Sequence, residues 1–177
     1  MKEVNIYTSN RCLSMSDKKP GSYVVKMEYR GRVKYIDGFT ENTTSYRVLI
    51  IGMIEAIKQL KEPCKINVYN PVAVGFRKIL NKKGEYKTTS LKYNGDLLNE
   101  LSELLSSGGH AIKEHITNEY MKELKLYHKK YDEVFKKYQT DINSNNRCSS
   151  NWNDELVDDG VVPFWLILKG ENCLTLF

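Results

Sequence analysis

Polar and apolar positions along the chain follow two periods. Val4, Ile6 and Thr8 alternate with Asn5, Tyr7 and Ser9, which predicts a first strand. The polar stretch 10–21 ends in Lys18-Lys19-Pro20-Gly21, a turn signal. Residues 22–29 predict a second strand and 32–36 a third, joined at Arg30-Gly31, so the first three strands read as an antiparallel meander. Gly38 is expected to break the third. Thr43, Thr44 and Ser45 then offer hydroxyls to cap a helix by accepting its free first-turn N–H groups. Behind them Val48, Ile51, Ile54, Ile57 and Leu60 recur at helical spacing. Pro63 should stop that helix, because proline has no N–H and clashes with the turn before it. Residues 65–69 predict a fourth strand. A strand–helix–strand crossover places it parallel to the first. A short helix over 73–80, a polar loop over 81–94, an amphipathic helix over 96–105 and a fifth strand over 110–116 follow. Thr117 or Asn118 caps a long charged helix predicted to run to Tyr138, with Leu124, Tyr127, Tyr131, Phe135 and Tyr138 on one stripe and His128 exposed.

Composition narrows this only moderately. The chain has 177 residues, 41% of them apolar, enough for one domain with an appendage. Residues 1–138 read as that domain. After Gln139 an Asn/Ser-rich stretch reads as a linker, and the apolar segment Val161–Lys169 then reads as docked on the domain or bound to another chain. Apolar runs fall short of the roughly 20 residues a membrane span requires, and the first residues lack the apolar core of a signal peptide. Four scattered cysteines (Cys12, Cys64, Cys148, Cys173) form no C-x-x-C pair, so neither zinc nor a dithiol site is implied. These features predict a reduced, cytoplasmic protein without a membrane segment. A net charge of +5 is compatible with a nucleic-acid partner without requiring one.

Several motifs carry a resemblance. Gly38-Phe39-Thr40, the helix start Thr43-Thr44-Ser45-Tyr46-Arg47-Val48-Leu49, the turn Leu60-Lys61-Glu62-Pro63-Cys64, the strand end Asn70-Pro71-Val72 and the corner Pro20-Gly21-Ser22-Tyr23 resemble ribonuclease H of the bacterial type. The likeness spans residues 5–126. It implies an α/β, ribonuclease H-like fold: a five-stranded mixed sheet, with strands one to three antiparallel and four and five parallel, flanked by helices. It also implies chemistry. Members of the family cut the RNA strand of an RNA–DNA hybrid with two magnesium ions held by four carboxylates, because magnesium wants anionic oxygen ligands.

By the same resemblance those four positions fall here on Ser9, Leu49, Pro71 and Lys122, none of them acidic. Lys122 is expected to place an ammonium in the metal pocket. Asp37, Glu41, Glu55, Asp96 and Glu114 are expected to lie away from the strand ends. The expectation is therefore a protein that is not an enzyme, a ribonuclease H-like pseudoenzyme with no metal and no cofactor. What remains is binding. The run from Phe76 to Lys87 is basic, and Arg77, Lys78, Lys82, Lys83 and Lys87 are candidate phosphate contacts. Thr43, Thr44, Ser45 and Tyr46 are candidate donors to a phosphate or sugar. A nucleic-acid-binding module, for hybrid or duplex, is the first expectation. A protein-interaction or inhibitor module using the C-terminal segment is the second, and a ribonuclease H with a rebuilt active site is the third.

Overall fold

The computed structural model describes residues 1–14, 19–81 and 83–147, with side chains described to residue 139. Lys82, the Asn/Ser-rich stretch beyond 147 and the segment Val161–Lys169 lie outside the described residues. The chain divides into two units, Met1–Phe135 and Lys136–Phe177. The first holds the sheet. Of the second, residues 136–147 are described and are helical, so the helix runs past Tyr138 and takes in the first part, 140–147, of the stretch expected to be a linker.

Five strands, β1 (Lys2–Cys12), β2 (Lys19–Tyr29), β3 (Arg32–Thr43), β4 (Cys64–Asn70) and β5 (Ala111–Ile116), form one sheet in the order β3-β2-β1-β4-β5. β1 pairs antiparallel with β2 and parallel with β4. β2 pairs antiparallel with β3, and β4 parallel with β5. This is the mixed sheet the resemblance implies. Four helices accompany it: α1 (Ser45–Ile57), α2 (Gly95–Ser107), α3 (Met121–His128) and α4 (Asp132–Arg147).

Alternation decides the faces. Val4, Ile6, Ile66 and Val68 point to one side and are buried against α1 and α2, whose Leu49, Ile50, Met53, Leu98, Leu101 and Leu105 complete the core. Each such aliphatic side chain contributes about 1.5–3 kcal/mol by leaving water. The other side carries Asn5, Tyr7, Lys65, Asn67 and Tyr69, and α3 packs over its β1–β2 half. No helix among the described residues is long and apolar enough to cross a membrane.

Local predictions needed correction in several places. Gly38 does not break β3. It pairs with Tyr23 inside the ladder, and a Cβ there would overlap the Tyr23 ring, so the glycine serves close packing. α1 starts behind Thr44, but no side chain caps it. It ends at Ile57 rather than at Pro63, where the Gln59 and Leu60 N–H groups close tighter turns on Ala56 and Ile57. The helix expected over 73–80 is a single 3-10 turn, Phe76–Lys78. The long C-terminal helix is interrupted by a 3-10 turn at Lys129–Tyr131, which separates α3 from α4.

Candidate functional site

β1 and β4 run in parallel with Tyr7 opposite Tyr69, so the residues that follow meet where β4 ends beside β1 in the middle of the sheet. On the core side, Thr8 Oγ1 donates to Asn70 Oδ1 at 2.5 Å. Asn70 Nδ2 donates to Glu114 Oε1 at 3.0 Å, which also accepts the Val74 N–H at 3.3 Å. On the far side, Ser9 Oγ lies 2.6 Å from His128 Nε2 and Ser22 Oγ 2.8 Å from His128 Nδ1. A neutral imidazole donates at one nitrogen and accepts at the other. Two hydroxyls, each able to do either, satisfy both. Tyr120 closes the gap between the strands: its hydroxyl meets the Tyr69 carbonyl at 2.6 Å and the Thr8 carbonyl at 2.8 Å.

This cluster is dry. Thr8 and Ser9 are 1% exposed, Ser22 and Asn70 0%, and His128 5%. Burial, with the Arg11 guanidinium adding to it, pulls the His128 pKa down to about 4. Burial likewise pushes the Tyr120 hydroxyl well above its ordinary value. Charges stay at the rim. Arg11 pairs with Asp132, and Lys26 and Tyr35 both bind Glu123. Burial alone would raise the Asp37 carboxyl, but Lys130 and Tyr131 outweigh it and hold it below its usual range.

Ser9 sits inside the network. Leu49 is 1% exposed in the core. Pro71 follows β4 directly, yet the preceding residue, Asn70, is the one in the network. Lys122 is exposed on α3 and brings no ammonium to the cluster; Tyr120 reaches the strand ends instead. His128, expected to be exposed, is the cluster's buried hub. Glu114, expected to lie elsewhere, is hydrogen-bonded at the end of β4. The missed signal was the i, i+4 series Tyr120, Leu124, His128, which the aromatic stripe through Tyr127 obscured.

Among the binding candidates, Thr43 is buried with its hydroxyl on the Thr44 carbonyl, which leaves it no open surface. Ser45 Oγ accepts from Asn10 Nδ2 at 2.6 Å. Thr44 and Tyr46 are half-buried, while Arg77, Lys78, Lys83 and Lys87 are exposed. Their loop is pinned by buried Phe76 and Ile79, by the Leu80–Tyr86 bridge, and by the Tyr86 hydroxyl on the His110 carbonyl at 2.7 Å.

No family model matches the chain. Curated proteins do. It is 38% identical over 113 residues to a ribonuclease H of Caldicellulosiruptor saccharolyticus, covering 59% of this chain and 77% of that protein. It is 32% identical over 133 residues to a ribonuclease H of Acetivibrio thermocellus, covering 68% and 88%. The chain belongs to the ribonuclease H family. Among solved structures, LC9-RNase H1, described as a type 1 RNase H with the type 2 active-site motif, superposes with a TM-score of 0.52 at 17% identity, covering 66% of this chain and 63% of that one. The N-terminal RNase H domain of a Mycobacterium tuberculosis protein gives 0.51 at 13%, covering 67% and 86%. At such identities these two speak for the ribonuclease H fold.

Membership corrects the expectation of a non-enzyme. Relatives at 32–42% identity are named for an enzyme. The positions Ser9, Leu49, Pro71 and Lys122 rest on the resemblance alone, and they do not show that catalytic residues or activity are lost. The pseudoenzyme expectation is withdrawn with it. The family's two magnesium ions would need anionic oxygens among the groups present. Those at the strand ends are hydroxyls, an amide, an imidazole and a phenol, with Glu114 the carboxylate joined to them. Among the described residues no cluster of three or more His, Cys, Asp and Glu is placed to hold a metal. This donor set does not fit a pair of hard divalent cations.

Proposed function

We propose that this ribonuclease H family protein binds RNA–DNA hybrids, the substrate class that its family resemblance implies. The observation that supports the reading is the exposed quartet Arg77, Lys78, Lys83 and Lys87 on a loop anchored by Phe76, Ile79 and Tyr86. Cations held on a fixed loop bind phosphate at low cost in chain entropy, and phosphate contacts supply most sequence-independent affinity. Thr44, Ser45 and Tyr46, at the start of α1, add short polar groups for sugar or phosphate.

The test is anisotropy of a short labelled hybrid across a salt series. Affinity should fall with salt, and replacing all four cations by alanine should flatten the log–log slope by about three. A slope unchanged by that replacement, or binding indifferent to salt, overturns the reading. Gel analysis of the same samples with magnesium and with manganese reports whether the RNA strand is cut, the activity for which the relatives are named.

A further inference from the structure

The side of the sheet away from α1 and α2 carries one register row across all five strands: Tyr35, Lys26, Tyr7, Tyr69 and His115. Three members stack face to face. Tyr7 and Tyr69 have centroids 4.6 Å apart and planes 12° apart, and Tyr69 and His115 have centroids 4.8 Å apart and planes 16° apart. These separations match the strand spacing of about 4.8 Å, so the rings stand upright as parallel slats. At the β1 end the stack is closed, with the Tyr120 ring edge-on to Tyr7 and the Lys26 ammonium 5.5 Å from the Tyr7 centroid. At the other end it stops at β5, the edge strand among the described residues, beyond which none of the described strands supplies a further ring.

Charge on this half of the face is one-sided. β4 and β5 present Lys65, Asn67, Tyr69, Ala111, Lys113 and His115 here, with both lysines exposed and no carboxylate among the six. Glu114 points to the opposite face, toward Asn70. The nearest acid on β1, Glu3, accepts from Asn67 Nδ2 at 2.8 Å. Glu123 is held by Lys26 and Tyr35, and Glu28 lies two strands away on β2.

We propose that the β4–β5 half of this face binds single-stranded nucleic acid, one base extending the Tyr7–Tyr69–His115 stack on the outer side of His115, with the flanking phosphates on Lys113 and Lys65. An unpaired base is a flat ring that is free to stack, and its backbone carries the anions this half of the face lacks. A duplex hides its ring faces in its own stack. The surface is separate from the basic loop proposed for hybrids, so the two readings fail independently.

The experiment is anisotropy of a labelled, unpaired oligonucleotide with the full chain, alone and beside an unlabelled hybrid. The wild type should bind in a salt-dependent manner, and saturating hybrid should not displace the strand. His115→Ala should weaken binding about tenfold, and His115→Phe, which keeps a ring, should restore it. Lys65→Ala/Lys113→Ala, both exposed positions, should lower the log–log salt slope by about one while leaving hybrid affinity unchanged. No strand binding by the wild type, full displacement by hybrid, or equal affinity in the alanine variants would each overturn the proposal. The double lysine variant decides the matter even if His115→Ala fails to fold.

Discussion

Removing the titration of His128 is the sharpest test of the buried cluster. The ring is 5% exposed, both nitrogens are engaged by Ser9 and Ser22, and its pKa lies at about 4 against an ordinary 6.5. The unfolded chain therefore takes up a proton near pH 6.5 that the folded chain refuses until about pH 4. Between those values the unfolded state holds more protons, so stability falls as pH falls, by about 1.4 kcal/mol per pH unit. The full contribution is present above the unfolded value and is lost on descending to the folded one, a total of roughly 3 kcal/mol. The assay is urea unfolding of wild type and His128→Gln at about pH 7 and about pH 5, above the range where carboxylates dominate. His110 is also buried with a lowered pKa and acts in the same direction, but it does so in both proteins and cancels in the difference. The wild type should lose about 2 kcal/mol more than the variant between those two pH values, with m-values unchanged. Equal losses would show that His128 takes up its proton in the folded state as readily as in the unfolded chain, and would refute the dry-cluster argument.

Three further outcomes follow from the same geometry. Tyr120→Phe keeps the ring but removes the one hydroxyl proton shared between the Thr8 and Tyr69 carbonyls; it should cost about 1–2 kcal/mol in chemical denaturation, and an unchanged midpoint would remove Tyr120 from its role between β1 and β4. Gly38→Ala drives a methyl group into the Tyr23 ring and should cost about 1–3 kcal/mol by thermal melting, whereas a glycine that merely ended a strand would tolerate it. Arg47 grips both Asp96 oxygens, at 2.8 and 2.6 Å, and holds that carboxyl at about 2. Arg47→Ala should return its NMR titration toward 3.8. The Asp96 side chain is largely in solvent, so stability should change by less than about 1 kcal/mol, with the wild-type advantage present at neutral pH and lost as pH drops toward 2.

Much of the architecture was written in alternation and spacing. Period-two patterns in β1 and β4 and the helical repeat in α1 and α2 each depend on one face being buried, a property local sequence records directly. The boundaries were less legible. Gly38 looks like a strand breaker in one dimension and is a packing glycine in three, because the Tyr23 ring crosses it from β2. Pro63 is a strong stop signal, but α1 had already closed on 3-10 turns before reaching it.

The chain by itself determined the meander of β1 to β3, the helix that crosses to a parallel β4, and the likeness of its turns to one family, since these rest on burial and backbone chemistry carried by neighbouring residues; the place of β5 was implied only by that likeness. It also named Ser9, Leu49, Pro71 and Lys122. Only the tertiary structure decided what stands around them. Ser9, Ser22 and His128 come from β1, β2 and α3, more than a hundred residues apart at the extremes, and only the close approach of α3 to the sheet excludes the water that would otherwise solvate them. The upright row of rings was equally hidden, because Tyr7, Tyr69 and His115 become neighbours only when three strands share a register, and register belongs to the whole sheet rather than to any one segment.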